Sequence, residues 1–302
     1  MERNKIVITG ACGHIGSALI RSLEGVDILA VDNFLTQRYT SLFNLDSHIT
    51  FFEGNFLDVD LPEGCTVLHF AAITDAASSM KNSSQVEEIN INQTKAFIDK
   101  CIESKVARFI FPSSTSVYGT ASDVVNEDDP AYENPQSPYA QSKLEVEKYL
   151  ESKKDQLKYL VPRFGTIFGY SAGMRFHTAI NKFCWQAATN QPITIWEDNY
   201  HQVRPYLGLQ DAVRAVEHFI TLEDSQFNTK YNVLTGNYKL SSIVEGIKKQ
   251  VPGLKVEMVK TPLLNQFSYD VDDTKVRNTG YTPQDDIEQE IASTLNLLRN
   301  LY

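Results

Sequence analysis

Residues 5–24 read KIVITGACGHIGSALIRSLE: a short apolar run, a turn carrying Gly10, Gly13 and Gly16, and then an amphipathic stretch with helical spacing. Glycines in such a strand-to-helix turn let the backbone bend sharply and approach a pyrophosphate. The phosphate charge is then met by backbone N–H groups and by the positive end of the helix. The G-x-x-G-x-x-G spacing by itself is equally compatible with plain turn chemistry. Asp32 adds to it, because it ends the next apolar run, DILAVDN (27–33), about twenty residues after the loop. A carboxylate there accepts hydrogen bonds from the adenosine ribose hydroxyls and repels a 2′-phosphate, so NAD is expected rather than NADP. Arg38 is near enough in sequence to blur that preference, and Asp32 also reads as a turn or capping residue.

Further short apolar runs follow at ITFFEGN (49–55), CTVLHFAA (65–72), ARFIFPSS (107–114) and LKYLVPRF (157–164). Amphipathic helical patterns lie between several of them, at 15–24, 84–104 and 139–153. Such runs suit parallel strands buried on both faces. Their alternation with helices predicts an α/β fold, a doubly wound, Rossmann-like parallel sheet with right-handed crossovers. From Gly165 the texture changes to a helical pattern at 177–190, an extended PITIW (192–196), a helix at 210–221 and shorter elements beyond. The expected division is an NAD-binding domain over 1–164, to which the chain passes back near 204–221, and a smaller α/β substrate domain over 165–302.

Composition narrows the function. Of 302 residues 42% are hydrophobic and 22% charged, ordinary globular values that exclude wholesale disorder. A net charge of -10 disfavours a surface built to hold nucleic acid or anionic membrane, so a phosphate-bearing ligand must be caught locally. No window approaches ~20 apolar residues, and MERNKIVITG enters a strand pattern at once, so a cytoplasmic protein without a membrane span is expected. The cysteines, Cys12, Cys65, Cys101 and Cys184, stand alone with no C-x-x-C pair and no His at ligand spacing. They read as reduced packing residues, with a disulfide as the alternative, and no metal site is expected.

FIFPSSTSVYG (109–119) closes the fifth strand, and SPYAQSK (137–143) opens a helix in which Tyr139 and Lys143 lie four residues apart, on one face. An ammonium beside a phenol favours the phenolate, which suits a base that removes a hydroxyl proton during hydride transfer. Y-x-x-x-K pairs also arise by chance on surface helices. It is the combination with the glycine loop, the acidic residue and the serine-rich strand end that carries meaning.

At these residues the chain resembles the extended short-chain dehydrogenase/reductase superfamily, in its NAD-dependent sugar-nucleotide epimerase/dehydratase branch. The likeness runs through TGACGHIG, VDNF, LHFAA, Asn90 in EININ, FPSSTSVYG, YAQSK, RFGTIFG and RPYLGLQD to TKVRNTGYTP. It implies that Ser114 orders the sugar hydroxyl and the tyrosine, with Ser113 and Ser116 as neighbours easily miscounted for it. Tyr139 is then the acid/base, and Lys143 holds the nicotinamide ribose and tunes the tyrosine. His14 and Ile15 contact the pyrophosphate, Asp32 and Asn33 the adenosine ribose, and Ala71 and Ala72 line the cofactor. Asn55, followed by Phe56, stands where an Asp usually accepts from the adenine amino group, and its side-chain oxygen can still accept. Arg204 and Asn181 match positions that grip a diphosphate, and Arg175 and His177 enter the sugar pocket, although His177 reads equally as a surface helix residue. A homodimer through the 84–104 and 139–153 helices is implied too, as is a nucleoside-diphosphate sugar as substrate.

The pattern is broken in places. Gly165 replaces a bulky residue, Thr166 replaces an Asn on the diphosphate side, Gly208 replaces a His, and a late Arg is missing around Asn265–Ser268. Dehydratases of this branch carry an Asp-Glu pair directly after the catalytic Ser/Thr, whereas Thr115 and Ser116 stand here. Without that acid, dehydration is disfavoured and C4 epimerisation through a 4-keto sugar is expected. The alternatives are a 4-dehydrogenase or ketoreductase using the same triad, then a 4,6-dehydratase, then a non-catalytic NAD-binding scaffold.

Overall fold

The apolar runs of the first half become the strands of one parallel sheet. The computed structural model describes residues 5–74, 79–119, 124–260 and 269–299. β1 (Lys5–Thr9), β2 (Asp27–Asp32), β3 (Ile49–Glu53), β4 (Thr66–His69), β5 (Arg108–Ile110), β8 (Lys158–Phe164) and β12 (Thr229–Val233) are ordered β12-β8-β5-β4-β1-β2-β3, with β6 (Ser113–Ser114) also beside β8. β1 pairs with β2 on one side and β4 on the other, so the strand order reverses there. A ligand crevice is expected outside the strand ends at such a switch point.

β1 shows why the runs are continuous rather than alternating. Ile6 and Ile8 face Leu19 and Ile20 of α1 (His14–Ser22) and Val213, Val216 and Phe219 of α5 (Leu209–Thr221). Val7 faces the opposite side, with Phe97, Val146 and Leu150. The latter three come from α2, which runs through Ser83–Val86, Glu87–Gln93 and Thr94–Glu103, and from α3 (Pro138–Ser152). The middle segment of α2 is a π-helix, a local rearrangement often found beside functional sites. α3 starts where the sequence offers both signals: Ser137 accepts a hydrogen bond from Ala140 N at 3.1 Å, and Pro138 fills the first turn.

The return of the second half to the large sheet extends past 204–221. Strand β12 pairs with β8 from Thr229 to Val233. Its TKYNV is short and half polar, so its pattern does not distinguish an edge strand from a loop. The rest of the second half has its own core, where Phe183 of α4 (Ala179–Ala188), Ile195 of β10 (Ile193–Trp196), Ile243 and Ile247 of α6 (Leu240–Gln250) and Leu295 of α7 (Ile287–Arg299) pack together. A second small sheet joins β9 (Thr166–Phe168), β11 (Val203–Gly208) and β13 (Gly236–Lys239), β10 pairs with β14 (Val256–Val259), and β7 (Val124–Val125) with β15 (Asp270–Val271). The helix expected at 177–190 begins at Ala179, so His177 lies in the loop before it.

All four cysteines are buried and free. Burial pushes the Cys12 and Cys184 thiols up to about 12, which makes them inert packing groups. Among the described residues no helix is long and apolar enough to cross a membrane.

Candidate active site

A cavity of about 850 Å³ opens at the switch point, between the glycine loop and the second small sheet. Gly10 has φ +69°, and a Cβ built there would lie 2.6 Å from Ala71 N, so only glycine lets this turn press against the exit of β4. Gly13 N donates to Gly10 O at 3.0 Å and the helix starts at once with His14. Gly10, Gly13, His14, Ile15 and Gly16 all line the cavity, as do Asp32, Asn33, Asn55, Phe56, Ala71 and Ala72. Backbone amides and a helix N-terminus therefore face the space in which a pyrophosphate would sit.

Asp32 fills the turn-holding role open to it in the sequence and stands at the cavity wall. Its carboxylate accepts from Cys12 N at 2.9 Å and Phe34 N at 2.8 Å, holding the glycine loop to the end of β2. Each oxygen keeps a further lone pair, and the side chain reaches the cavity wall. Arg38 is half-buried in the same wall, where the Asp32 charge opposes the cost of its burial. Asn55 is held less freely than its spacing suggests: Oδ1 accepts from Leu57 N at 2.9 Å and Nδ2 donates to Gln93 Oε1 at 3.2 Å, leaving one lone pair for a ligand. Phe56 is mostly a core residue, edge-on to His69 at 4.9 Å between ring centres.

His14 is buried, and its Nδ1 accepts from Arg175 N at 3.4 Å. That places the proton of the neutral ring on Nε2, which is buried without a hydrogen-bond partner. Burial, together with the charges of Arg175, Arg38 and His177, pulls its pKa down to about 3.

Ser114, Tyr139 and Lys143 share one wall of the cavity. Ser114 caps the 3-10 turn Thr115–Tyr118, its Oγ accepting from Ser116 N at 3.1 Å. Ser113 is excluded from the chemistry because its hydroxyl donates to Glu147, and Thr115 Oγ1 donates to Phe164 O at 3.3 Å. Ser116 Oγ is buried without a partner at the cavity wall. Behind this wall Arg163, fully buried on β8, is paired with Glu147 and Glu133, each at 2.5 Å, which pins α3 to the sheet. Asn90 in the π-helical segment adds a second pin: Oδ1 accepts from Ile73 N at 2.8 Å while Nδ2 donates to Ile73 O at 2.9 Å and Ser142 Oγ at 3.3 Å.

The expected tuning of Tyr139 by Lys143 needs correction. The Lys143 ammonium donates to Pro112 O at 2.8 Å and sits 5.9 Å from the Tyr139 ring centre. Burial pulls Lys143 down to about 7, with the Glu147 carboxylate opposing. Burial raises the Tyr139 phenol, and the groups that favour its phenolate are the Arg175 charge and a hydrogen bond from Ser114. The i,i+4 spacing placed both side chains on one wall without aiming one at the other.

Of the residues expected to bind substrate, Thr166, Arg175, His177 and Arg204 line the cavity. Arg175 Nη1 donates to Thr74 Oγ1 at 2.5 Å, and His177 is exposed at the rim. Asn181 is a second correction. It is fully buried away from the cavity, with Nδ2 donating to Gly169 O and Arg175 O and Oδ1 accepting from Gly169 N, all at 3.1 Å. No group is left to grip a diphosphate; Asn181 instead braces the loop that carries Arg175. Gly208 also finds its reason, since a Cβ there would lie 2.0 Å from Asp285 Oδ2. The missing Arg around Asn265–Ser268 lies outside the described residues.

Trp196, Asn199, Gln202, Leu240 and Tyr269 complete the wall, and none was legible beforehand. They come from three separate stretches, 196–202, 240 and 269, that share no spacing motif. Among the described lining residues Asp32 is the one carboxylate, and it stands beside the glycine loop.

Three comparisons bear on this site. The model of the NAD dependent epimerase/dehydratase family matches residues 6–233. An uncharacterised UDP-glucose epimerase of Bacillus subtilis is 31% identical over 231 residues, covering 70% of this chain and 71% of that protein. The UDP-glucose 4-epimerase of Lactobacillus helveticus is 26% identical, covering 96% and 95%. Among solved structures, the UDP-glucuronic acid 4-epimerase from Bacillus cereus, in complex with UDP-glucuronic acid and NAD, has a TM-score of 0.89 at 23% identity, covering 99% of this chain and 100% of that one. That last likeness is one of fold.

Proposed function

We propose that this chain, which belongs to the NAD dependent epimerase/dehydratase family, inverts C4 of a uridine diphosphate sugar through a 4-keto intermediate. The observation that carries this is the composition of one cavity wall: Ser114, Tyr139 and Lys143 stand together, and no carboxylate accompanies them among the described lining residues. Relatives named as UDP-glucose epimerases support the choice of uridine diphosphate.

NAD, when bound, accepts the C4 hydride and returns it to the opposite face of the sugar. The residues present suit it, with a glycine turn too tight for any Cβ and amides at a helix start beside the cavity. Tyr139 takes the C4 hydroxyl proton and gives it back after the ring has turned over, and Ser114 aligns that hydroxyl with the phenol. Lys143, held by Pro112 O, contacts the nicotinamide ribose, while Arg175 supplies the charge that favours the Tyr139 phenolate. Arg204 faces the diphosphate. A 4,6-dehydration would need an acid and a base near C5 and C6, and Thr115 and Ser116 supply neither. Assembly is expected through α2 and α3, whose outward side chains already pair within the chain, Lys95 with Glu145 at 2.5 Å and Lys153 with Asp99 at 2.7 Å.

The test is turnover of a panel of uridine diphosphate sugars in heavy water, read by product NMR. Inversion at C4 with C5 unlabelled and no net NADH is expected. Deuterium at C5 with a 4-keto-6-deoxy product overturns the proposal in favour of dehydration, and stoichiometric NADH without inversion overturns it in favour of a dehydrogenase.

A further inference from the structure

Tyr269 stands outside every motif in the sequence and yet joins two parts of the site. It is buried, 6% exposed, immediately before β15, and it lines the cavity. Its hydroxyl donates to Thr115 O at 3.0 Å, in the first residue of the 3-10 turn that Ser114 caps. The Arg204 guanidinium lies 5.1 Å from the ring centre and also hydrogen-bonds the Tyr269 hydroxyl, and the ring meets Tyr118, the last residue of that same turn, at 67° and 6.4 Å. One side chain thus touches the arginine at the diphosphate end, the start of the serine turn and its finish.

The scaffold around Tyr269 holds it to both neighbours. Two residues on, Val271 is fastened by both atoms of the Asn237 amide: Val271 N donates to Oδ1 at 3.1 Å and Nδ2 donates to Val271 O at 3.0 Å. Asn237 lies on β13, which pairs with β11 so that Arg204 is opposite Tyr238. On the other side β15 pairs with β7, placing Val271 beside Val125. Arg204 and Tyr269 are therefore fixed relative to one another by backbone pairing, and the serine turn meets Tyr269 at its first residue through the hydroxyl and at its last through the Tyr118 ring.

We propose that Tyr269 is a positioning residue that couples occupation of the diphosphate site to the alignment of Ser114: its ring holds Arg204, and its hydroxyl holds the Thr115 carbonyl and hence the serine turn. This rests on the functional reading above, in which Arg204 faces the substrate diphosphate and Ser114 the C4 hydroxyl. The hydroxyl serves the serine turn and Arg204 together, whereas the ring face serves Arg204 in its own right. The face of the ring attracts a cation whether or not it bears a hydroxyl. The hydrogen bond to Thr115 O depends on the hydroxyl alone.

Two substitutions separate them. Tyr269→Phe keeps the ring and deletes the hydrogen bond to Thr115 O, so kcat should fall about fivefold, the equivalent of one ordinary hydrogen bond, while the Kd for UDP weakens less than in Tyr269→Leu because the ring stays under Arg204. Tyr269→Leu removes the ring as well and should weaken UDP about fivefold in addition, the scale of a cation–π contact. The measurements are steady-state turnover of the uridine diphosphate sugar panel and calorimetric binding of UDP, with NAD binding as the check that each variant is folded. A tyrosine that merely filled space would lose both quantities together or neither. The coupling is overturned if Tyr269→Phe keeps its kcat, if it weakens UDP as much as Tyr269→Leu does, or if Tyr269→Leu binds UDP normally. Wild-type protein inert towards every sugar overturns the functional reading and this inference with it. An active wild type with unsplit variants removes the coupling alone.

Discussion

Around the glycine loop the cavity wall is backbone: the amide of Ala71 packed on Gly10, the first turn of α1, and the Cys12 and Phe34 amides fastened to Asp32. Around Arg204 it is side chains, drawn from β9, β11, the loop before α4 and the approach to β15. The difference is one of tolerance. A backbone wall admits only residues that permit its dihedral angles and its close approach, so it is written as local spacing. A side-chain wall can be recomposed one residue at a time without disturbing the strands beneath. The fixed end suits a ligand common to the whole family, and the adjustable end suits one that differs between its members.

The sharpest way to break that comparison lies at the junction of the two ends. Tyr139→Phe removes the proton acceptor while leaving the ring, so turnover should drop by at least about 10²-fold with NAD binding retained. Near-normal turnover would move the chemistry off this wall. Loss of NAD along with turnover would make Tyr139 part of the cofactor end.

The fixed end itself should resist change. Gly10→Ala puts a methyl at φ +69° and 2.6 Å from Ala71 N, where backbone has no room to yield. A cost of about 2 kcal/mol is expected, read as a Kd for NAD weaker by roughly thirtyfold. NAD affinity unchanged in that variant would mean that the turn relaxes and that the end is not fixed.

The same contrast governs what the sequence disclosed. Short apolar runs with glycine and acid at set offsets are local signals, and the parallel sheet, the glycine turn, the place of Asp32 and the Tyr139–Lys143 pair follow from them, whereas the strand order does not and Ser114 is singled out by family resemblance. Two kinds of information were not local. Direction was one: Asn181 faces Gly169 and Arg175 instead of the cavity, and Lys143 reaches Pro112 O instead of the Tyr139 phenol, because tertiary partners decide where a long or amphiphilic side chain points. Convergence was the other, since Thr74, Trp196 and Tyr269 meet only once the small sheets are built. The π-helical segment of α2 was hidden for the same reason, as Asn90 is recruited by Ile73 and Ser142 from outside its helix.

A smaller effect tests the charge at the adenosine end. Asp32 also accepts from two backbone amides, so Asp32→Asn is the informative substitution: an amide oxygen can keep one of those bonds while the charge is gone. The preference for NAD over NADP should narrow about tenfold, a change of about 1.4 kcal/mol, since the repelling carboxylate is lost beside Arg38. Equal affinity of the wild type for both cofactors would remove Asp32 from the ribose.

The smallest expected effect concerns the seam between the two ends, where His14 of the glycine loop meets the Arg175 backbone. Burial holds the His14 imidazole at about 3, below the ordinary value of 6.5, and His69, buried on β4, is held at about 3 as well. Between those values the unfolded chain binds protons that the folded chain does not, so stability must fall as the pH drops from 6.5 towards 3. His14→Gln cannot titrate, and its side-chain oxygen can still accept from Arg175 N. Urea unfolding of the cofactor-free protein should therefore show a shallower loss of stability between pH 7 and pH 5 in this variant than in the wild type. His69 and His218, both lowered by burial, contribute to the slope that remains. Wild-type and variant curves that run parallel through this range would show that the imidazole gains its proton without disturbing the seam, and that the backbone end is looser than its glycines suggest.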